Sequence, residues 1–434
     1  MDPGHFGAAA RTALEAAVLR VSPGMKPQEL SNVAWAYATL GWEPGADARV
    51  ALEVAVVRVG LGMNPQNSSN TIWSFATMGL MPSAEARAAL EAAVVRVGPG
   101  MCAQDAANTL WSVATLGQMP GAEAWAALEA AVVRVGPCMN AQGAANTMWG
   151  VATLGQMPGT EVWAALEVAV VRVGSSMKAQ DVATTLWSIV TLGLMPGTAA
   201  RTALEVAVVR MGMGMKAQDV ANTLWSCLTL AITRGIPLPA CYPALWQAAC
   251  GLSVDALKTV GLRNFFHAYL MHTELVRGNV PGDVTFPPWI MNEARGAWMR
   301  QAHDDVTMSR DHKEVASIIG ELGVAHEVER LTNDGYFSVD VYMPGADVAL
   351  EIDGPSHFTN ISVDGDRYAP GDAPRNWRRT PRTELRDMFL ARRHHLVVCV
   401  PYFEYDKLKG RMAQTTYIAE KLRGAGVHVP ASAI

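Results

Sequence analysis

Glu351 and Asp353 stand two residues apart in the run VALEIDGPSHF, which reads as a β-strand. Side chains two apart on a strand share a face, so these carboxylates point the same way while Ile352 points to the core. Asp340 lies in the preceding run YFSVDVYMPG, read as the neighbouring strand, with YMPGAD as the turn between them. Consecutive strands of one small sheet place Asp340, Glu351 and Asp353 side by side. Carboxylates gathered on one face can hold Mg²⁺ and orient a water for attack on a phosphodiester. Asp340 and Glu351 are the candidate metal ligands. The alternative is that these acids cap turns and bond backbone, Asp353–Gly354 being a plain turn signal.

A second chemistry-bearing stretch follows. Seven arginines lie between Arg375 and Arg393, with Trp377 among them and only Glu384 and Asp387 as acids. A basic segment with an aromatic suits a nucleic-acid backbone and one stacked base. Arg382, Arg386, Arg392 and Arg393 are the expected sequence-independent contacts. A solvated arginine face is the alternative.

The third pattern is uncharged. In QDAANTLWSVATLG, taking Gln104 as zero on a helical wheel, Asn108 falls at about 40°, Ser112 at about 80° and Thr115 at about 20°. Ala106, Leu110, Val113 and Ala114 take the opposite side. Amides and hydroxyls can read base edges, whereas carboxylates would repel phosphate. The expected reading row is Asn32, Asn70, Asn108, Asn146, Thr184 and Asn222, with Ser112 beside it. Trp111, at about −20°, could stack on a base. Two structural alternatives stand: asparagine ladders between neighbouring repeats, and tryptophans packed between adjacent helices.

The elements that position this row come from a repeat. Trp35, Trp73, Trp111, Trp149, Trp187 and Trp225 are 38 residues apart without a slip. The rows starting at Met25, Gln28 and Arg20 keep the same step. Each unit holds a helix A (QDAANTLWSVATLG) and a helix B (AWAALEAAVVRVG). Helix B carries apolar residues at Leu52, Ala55, Val56 and Val59, the spacing of an amphipathic helix. Gly60, Gly98, Gly136, Gly174 and Gly212 are expected as left-handed C-caps. Pro82, Pro120, Pro158 and Pro196 punctuate the A–B turn. One helix pair cannot bury both its faces, so neighbours must stack into a solenoid. PALWQAACGL reads as a divergent helix B and VDALKTVGLRNFFHAYLMHTEL as one more helix A, followed by a linker at Gly278–Pro288. Residues 7–21 are a helix B with no helix A before it, which raises the expectation of a missing N-terminal portion.

Composition narrows the field. The chain has 434 residues, half of them apolar, and a net charge of −5, so it is no globally basic nucleic-acid binder. Residues 1–254 hold 14 Lys+Arg against 16 Asp+Glu, so base contacts would have to carry much of any RNA affinity there. The six cysteines have no zinc spacing and suit free thiols in a reducing compartment. No apolar run reaches the roughly 18–20 residues needed to span a bilayer. No secretory or transit signal is visible.

The 38-residue unit with its LWxxATLG core resembles the octotricopeptide repeats of green-alga organellar RNA factors, best in NTLWSVATLGQMPGAEAW and NTMWGVATLGQMPGTEVW. From about residue 303, HKEV, Asp340, EIDGPSHF and VVCVPYFEY followed by Lys407–Leu408 resemble, in order, the RAP domain, an RNA-associated module of organellar proteins. HKEVASIIGELG reads as a helix. TELRDMFLARRHHLVVCVPYFEY reads as helix then strand with Leu396–Val400 buried, and a last helix runs near Gln414–Leu422.

The same module is similar to the core of PD-(D/E)XK nucleases. That resemblance implies Asp340 as the first strand acid, Glu351 as the second, Glu314 as an outer-shell acid and His357 as a proton shuttle. The nuclease pattern wants Lys where this chain has Asp353.

The expected architecture is an α-solenoid of 38-residue helix pairs over 7–253, a divergent helical segment and linker over 254–300, and a restriction-endonuclease-like α/β domain over 301–425. The resemblances imply an RNA-binding protein in organellar RNA stability, processing or translation, in chloroplast or mitochondrion. Single-stranded RNA is the expected partner, together with ribonucleoprotein partners. No cofactor is firmly implied, and Mg²⁺ enters only with a nuclease. The alternatives are a repeat-guided metal-dependent ribonuclease, with catalytic Asp340, Glu351, Asp353 and His357, and a protein-interaction scaffold.

Overall fold

The computed structural model describes residues 8–211, 214–251, 257–276, 288–304, 308–360 and 377–430. Gly212 and most of the expected linker lie outside the described residues, as does Arg375. The chain forms two compact units, one of residues up to 189 with 196–211, the other of 190–195 with everything from 212 on.

In the first unit, B helices α1 (Ala8–Val21), α3 (Ala46–Val59), α5 (Ala84–Val97), α7 (Ala122–Val135), α9 (Thr160–Val173) and α11 (Thr198–Met211) alternate with A helices. The A helices are α2 (Pro27–Leu40), α4 (Pro65–Thr77), α6 (Ala103–Thr115), α8 (Ala141–Thr153) and α10 (Ala179–Leu192). The A helices α2, α4, α6 and α8 pack one on the next, and each B helix packs on its neighbouring B. The methionine row is core: Met63, Met101, Met139 and Met177 are fully buried. The chain is mostly helical and stacks neighbour on neighbour, as a solenoid does.

Two charged side chains of helix B tie successive copies. The glutamate reaches forward: Gly45 N, Ser83 N, Gly121 N and Gly197 N donate to Glu15, Glu53, Glu91 and Glu167, at the N-termini of the next B helices. An anion there meets unsatisfied N–H groups and the positive end of the helix dipole. The arginine reaches back. Arg134 Nη2 donates to Met101 O at 2.6 Å and Gly98 O at 3.3 Å, and Arg210 repeats this on Met177 O and Gly174 O. Arg58, Arg96 and Arg172 make the equivalent bonds.

The glycines divide their labour differently from expectation. The left-handed caps are Gly41, Gly79, Gly117, Gly155 and Gly193, ending the A helices. Gly60, Gly98, Gly136 and Gly174 after the B helices are right-handed, with φ near −50° at Gly60 and −45° at Gly98. Space requires them, because a Cβ on Gly98 would stand 3.1 Å from Ala127 Cβ of the next copy.

The second unit opens with α12 (Ala217–Arg234), the last helix A in the 38-residue register. After it come α13 (Tyr242–Cys250), α14 (Thr259–Leu270) and α15 (Pro288–Asp304). As expected, α14 continues the series. Asn264 Nδ2 donates to Asn222 Oδ1 at 2.9 Å, and Trp225 Nε1 to His267 Nδ1 at 3.0 Å, so both positions find partners 42 residues on.

The α/β part has α16 (Arg310–Glu321), β1 (Glu327–Leu331), β2 (Ser338–Met343), β3 (Val348–Asp353), β4 (Phe358–Asn360) and β5 (Trp377–Arg379). Then follow α17 (Pro381–Leu390), β6 (Leu396–Pro401), α18 (Tyr402–Tyr405) and α19 (Arg411–Gly424). One sheet runs β1-β2-β3-β6, antiparallel except that β6 lies parallel to β3; β4 and β5 pair separately. Apolar residues of α16 and α19, among them Ile318, Ile319, Ile418 and Leu422, pack with Val341, Leu350 and Val400 on one face. The expected wholly buried Leu396–Val400 is half right. Leu396 is 40% exposed while Val400 is buried, because β6 lies at the edge of the sheet order. Strand β1 escapes sequence reading, since EVERL lacks an apolar alternation.

Gly150 replaces the serine found at 74, 112, 188 and 226. A Cβ there would lie 2.8 Å from Leu110 O, a backbone atom. Gly→Ala in a helix interior ordinarily stabilises by about 0.5–1 kcal/mol. Gly150→Ala is expected instead to destabilise by about 1–3 kcal/mol, the usual scale of overpacking, measured as a lower denaturant midpoint. A raised midpoint would show that α6 and α8 can part freely.

Candidate functional sites

On the A helices, the outward row consists of Gln104, Asn108, Trp111 and Thr115, exposed or half-exposed, with the equivalent residues of the flanking copies. Among the described residues, the side chains of Asn70, Asn108 and Asn146 make no hydrogen bond within the protein, so their amides remain available. Asn32 is exposed and Thr184 half-exposed. Asn222 differs: its Oδ1 also accepts from Gln218 Nε2 at 2.9 Å. Buried inter-copy bonds run through other positions, Ser69 Oγ donating to Asp105 Oδ1 at 3.1 Å and Asn67 Nδ2 to Ser31 Oγ at 3.5 Å. In the first unit the tryptophans are exposed or half-exposed, from 48% exposed Trp35 to Trp111 and Trp149, whose rings lie 6.4 Å apart, whereas Trp225 in the second unit is buried.

Ser112 does not belong to the outward row. It is fully buried, and its hydroxyl donates to Asn108 O at 2.6 Å. Ser74, Ser188 and Ser226 do the same four residues back. At about 80° the serine has turned past the rim of the stripe, and a buried hydroxyl takes the nearest spare carbonyl.

In the second unit a cleft of about 640 Å³ is lined by α15, the start of α16 and β1–β3, and by α17. Trp298, Tyr336 and Phe337 supply aromatic wall; Glu329, Ser338, Asp340, Glu351, His312 and Arg386 supply polar wall.

Asp340 and Glu351 line this cleft and Asp353 does not, and each of the three is already engaged. The β2/β3 pairing stops at Val341 and Leu350. Beyond it, carboxylates take over from the backbone: Ile352 N donates to Asp340 Oδ2 at 2.7 Å and Asp340 N to Glu351 Oε1 at 3.3 Å. Arg386 grips Glu351 Oε2 at 2.6 Å and Ser338 O at 2.6 Å. Burial pushes the Glu351 carboxyl up, to about 8, against the pull of Arg386, and the Asp340 charge adds to the rise. Asp353, buried, pairs with Arg379, and its Oδ1 lies 2.9 Å from His357 Nδ1.

Ile352 packs against the core as expected, but the opposite face of β3 is buried too. Glu351 and Asp353 therefore do not gather with Asp340 into a three-ligand group. Among the described residues, the group whose ligand atoms converge is His312, Glu329 and Asp340. Glu314 faces Arg411 at 4.0 Å instead. Two residues along α16 turn a side chain through roughly 200°, so His312 and not Glu314 meets the cleft.

The arginines expected on RNA are partly committed. Arg386 holds Glu351. Arg393 holds Glu274 at 2.9 Å and Asp334 at 2.6 Å and covers the Phe337 ring. Arg382 and Arg392 are exposed, with Arg392 3.9 Å from Glu274. The partners Glu274 and Asp334 were invisible in sequence because they lie 119 and 59 residues from Arg393.

His267 sits against Trp298 and Phe389, fully enclosed, and burial lowers it to about 3, with the Arg382 charge adding to the fall. A histidine depressed from 6.5 to about 3 contributes stability that is present above pH 6.5 and lost as pH falls toward 3. The melting temperature should drop over that window, and His267→Gln should flatten the drop. Equal pH profiles would show that His267 does not carry it. Arg386→Met should lower stability chiefly above about pH 8, because without the arginine the Glu351 carboxyl, already raised to about 8, keeps its proton at lower pH; the double variant Arg386→Met/Glu351→Leu should recover much of the loss there. An unchanged midpoint in the single variant would mean that the pair holds nothing.

Residues 350–421 match the family model described as RAP domain, a family associated with RNA binding. The match takes in β3, α17, β6 and most of α19, and with them Glu351, Asp353, Arg382, Arg386, Arg392 and Arg393. It stops short of His312, Glu329 and Asp340. No curated protein matches the chain. No helix among the described residues is long and apolar enough to cross a membrane.

Proposed function

We propose, starting from a RAP module at residues 350–421, that the chain binds single-stranded RNA in organellar RNA stability, processing or translation, in chloroplast or mitochondrion. The RAP match carries this reading. The outward Gln–Asn–Trp–Thr rows, read as octotricopeptide-type repeats, are its reading surface. Their support is chemical: uncharged amides with unspent hydrogen bonds, spaced one copy apart beside half-exposed indoles, offer one base edge and one stacking face per copy. Arg382 and Arg392 add backbone contacts. Ribonucleoprotein partners would join on other faces.

A repeat-guided ribonuclease is the weaker reading. We take the α/β part to be of PD-(D/E)XK type, on the strength of its mixed sheet and acid positions. Yet Glu351 and Asp353 spend their charge on Arg386 and Arg379, and Asp353 stands where that pattern wants Lys. This favours a retained scaffold that binds without cutting. A pure protein scaffold would show no salt-dependent RNA binding.

The test is binding of single-stranded RNA pools by the full chain, followed by selection and sequencing. Asn108→Ala with Asn146→Ala should weaken the preferred RNA by about 1–3 kcal/mol with little change in melting temperature, while Ser112→Ala leaves RNA affinity alone. Each phosphate interaction that Arg382→Glu or Arg392→Glu removes should flatten the salt slope by about 0.7. Unchanged RNA preference with a large stability loss in the asparagine pair would turn the row into a structural ladder.

A further inference from the structure

We propose that His312, Glu329 and Asp340 form a binding site for one divalent first-row cation on the wall of the second unit's cleft. The three come from three elements: the first turn of α16, β1 and β2. One ligand atom from each lies within 4.8 Å of the others.

The outward atoms of the set are held by a second layer. His312 Nε2 donates to Asp340 O at 2.8 Å, which leaves Nδ1 facing the group. Glu329 Oε2 accepts from Ser338 Oγ at 3.0 Å, leaving Oε1. Asp340 Oδ2 accepts from Ile352 N, leaving Oδ1. Metal ligands are commonly oriented in this manner: the far nitrogen of the histidine on a carbonyl, the far carboxylate oxygens on donors. The imidazole is 5% exposed, so it is no mobile surface ligand.

Charge points the same way. The flanking pairs Val328↔Val341 and Arg330↔Val339 set Glu329 opposite Asp340 across the two strands. Like charges in that position repel unless a cation lies between them. Glu329 also holds φ at +52°, a left-handed conformation that is costly for a non-glycine residue and that clusters at ligand sites.

His312 Nδ1 is 3.2 Å from Glu329 Oε1. The two atoms face each other across the position the cation would take. One imidazole and two carboxylates suit Mn²⁺, Fe²⁺ or Zn²⁺ better than Ca²⁺ or Mg²⁺, which prefer oxygen alone. The open cleft side leaves positions for water. The site lies outside the RAP-matched residues and does not depend on RNA binding, which is measured separately without added metal.

The test is Mn²⁺ titration of the full chain followed by electron paramagnetic resonance, with folding checked by circular dichroism. One tightly bound Mn²⁺ per chain is expected, with nitrogen coupling from one imidazole. Glu329→Gln and Asp340→Asn, near-isosteric changes, should each lose most of the binding. Ser338→Ala, which removes only a supporting donor, should weaken it about tenfold. Glu314→Gln, on the far side of α16, should leave it unchanged. Failure of the wild-type chain to bind Mn²⁺ stoichiometrically would overturn the site in favour of a His312 held only by Asp340 O and Glu329. So would binding without nitrogen coupling, or binding that survives both carboxylate changes in folded protein.

Discussion

The first unit hangs on two charged side chains of helix B, one reaching forward and one back. Glu53 takes the N-terminus of the B helix ahead, and Arg58 takes carbonyls of the turn behind. Both partners are backbone atoms at fixed distances along the chain. An inserted or deleted residue would carry the carbonyl or the N–H out of reach. That accounts for a step of 38 residues kept through six tryptophans. The small residues follow from the same geometry. Copies drawn this close would crowd a Cβ at Gly98 or Gly136 to 3.1 Å from an alanine Cβ of the next B helix, so that helix would have to give way.

The α/β part depends on a different economy of charge. Where the backbone ladder between β2 and β3 ends, Asp340 and Glu351 side chains complete it, and Arg386 keeps the buried Glu351 from standing alone. The arginines of the basic segment are thus drawn inward to satisfy acids on β3. A carboxylate in a buried strand demands a counter-charge more urgently than solvent supplies one. The acid face of β3 is in consequence locked, and the unlocked carboxylate atoms lie one strand over, beside His312.

Much of this was legible in residues alone. The repeat, its two helices and the outward position of the asparagines follow from period and wheel position, because local geometry decides them, whereas the burial of the methionine row does not show in its spacing. The helix-then-strand order of the α/β part was readable for the same reason. What escaped was long-range pairing. Arg386 and Arg393 looked like free cations because their acids are far away in sequence. His312 stands inside the motif HKEV, yet its role needs Glu329 on a strand whose residues, EVERL, carry no strand pattern. The glycines after the B helices were assigned to a backbone conformation when the constraint was a neighbour's methyl group. A periodic glycine has two explanations, and only contacts between copies separate them.

The clasps join only adjacent copies, and this has a consequence for how the array comes apart. An assembly with nearest-neighbour coupling behaves as a one-dimensional chain of states, in which melting starts at a weak link and spreads from there. Copy four carries the odd glycine at 150 in place of serine, and among the described residues Glu129 does not make the forward bond that ties the other copies. That missing clasp is offset by packing, because the glycine lets α6 and α8 draw together and Arg172 still holds the turn behind it, so opening passes from one copy to the next without a preferred break at copy four.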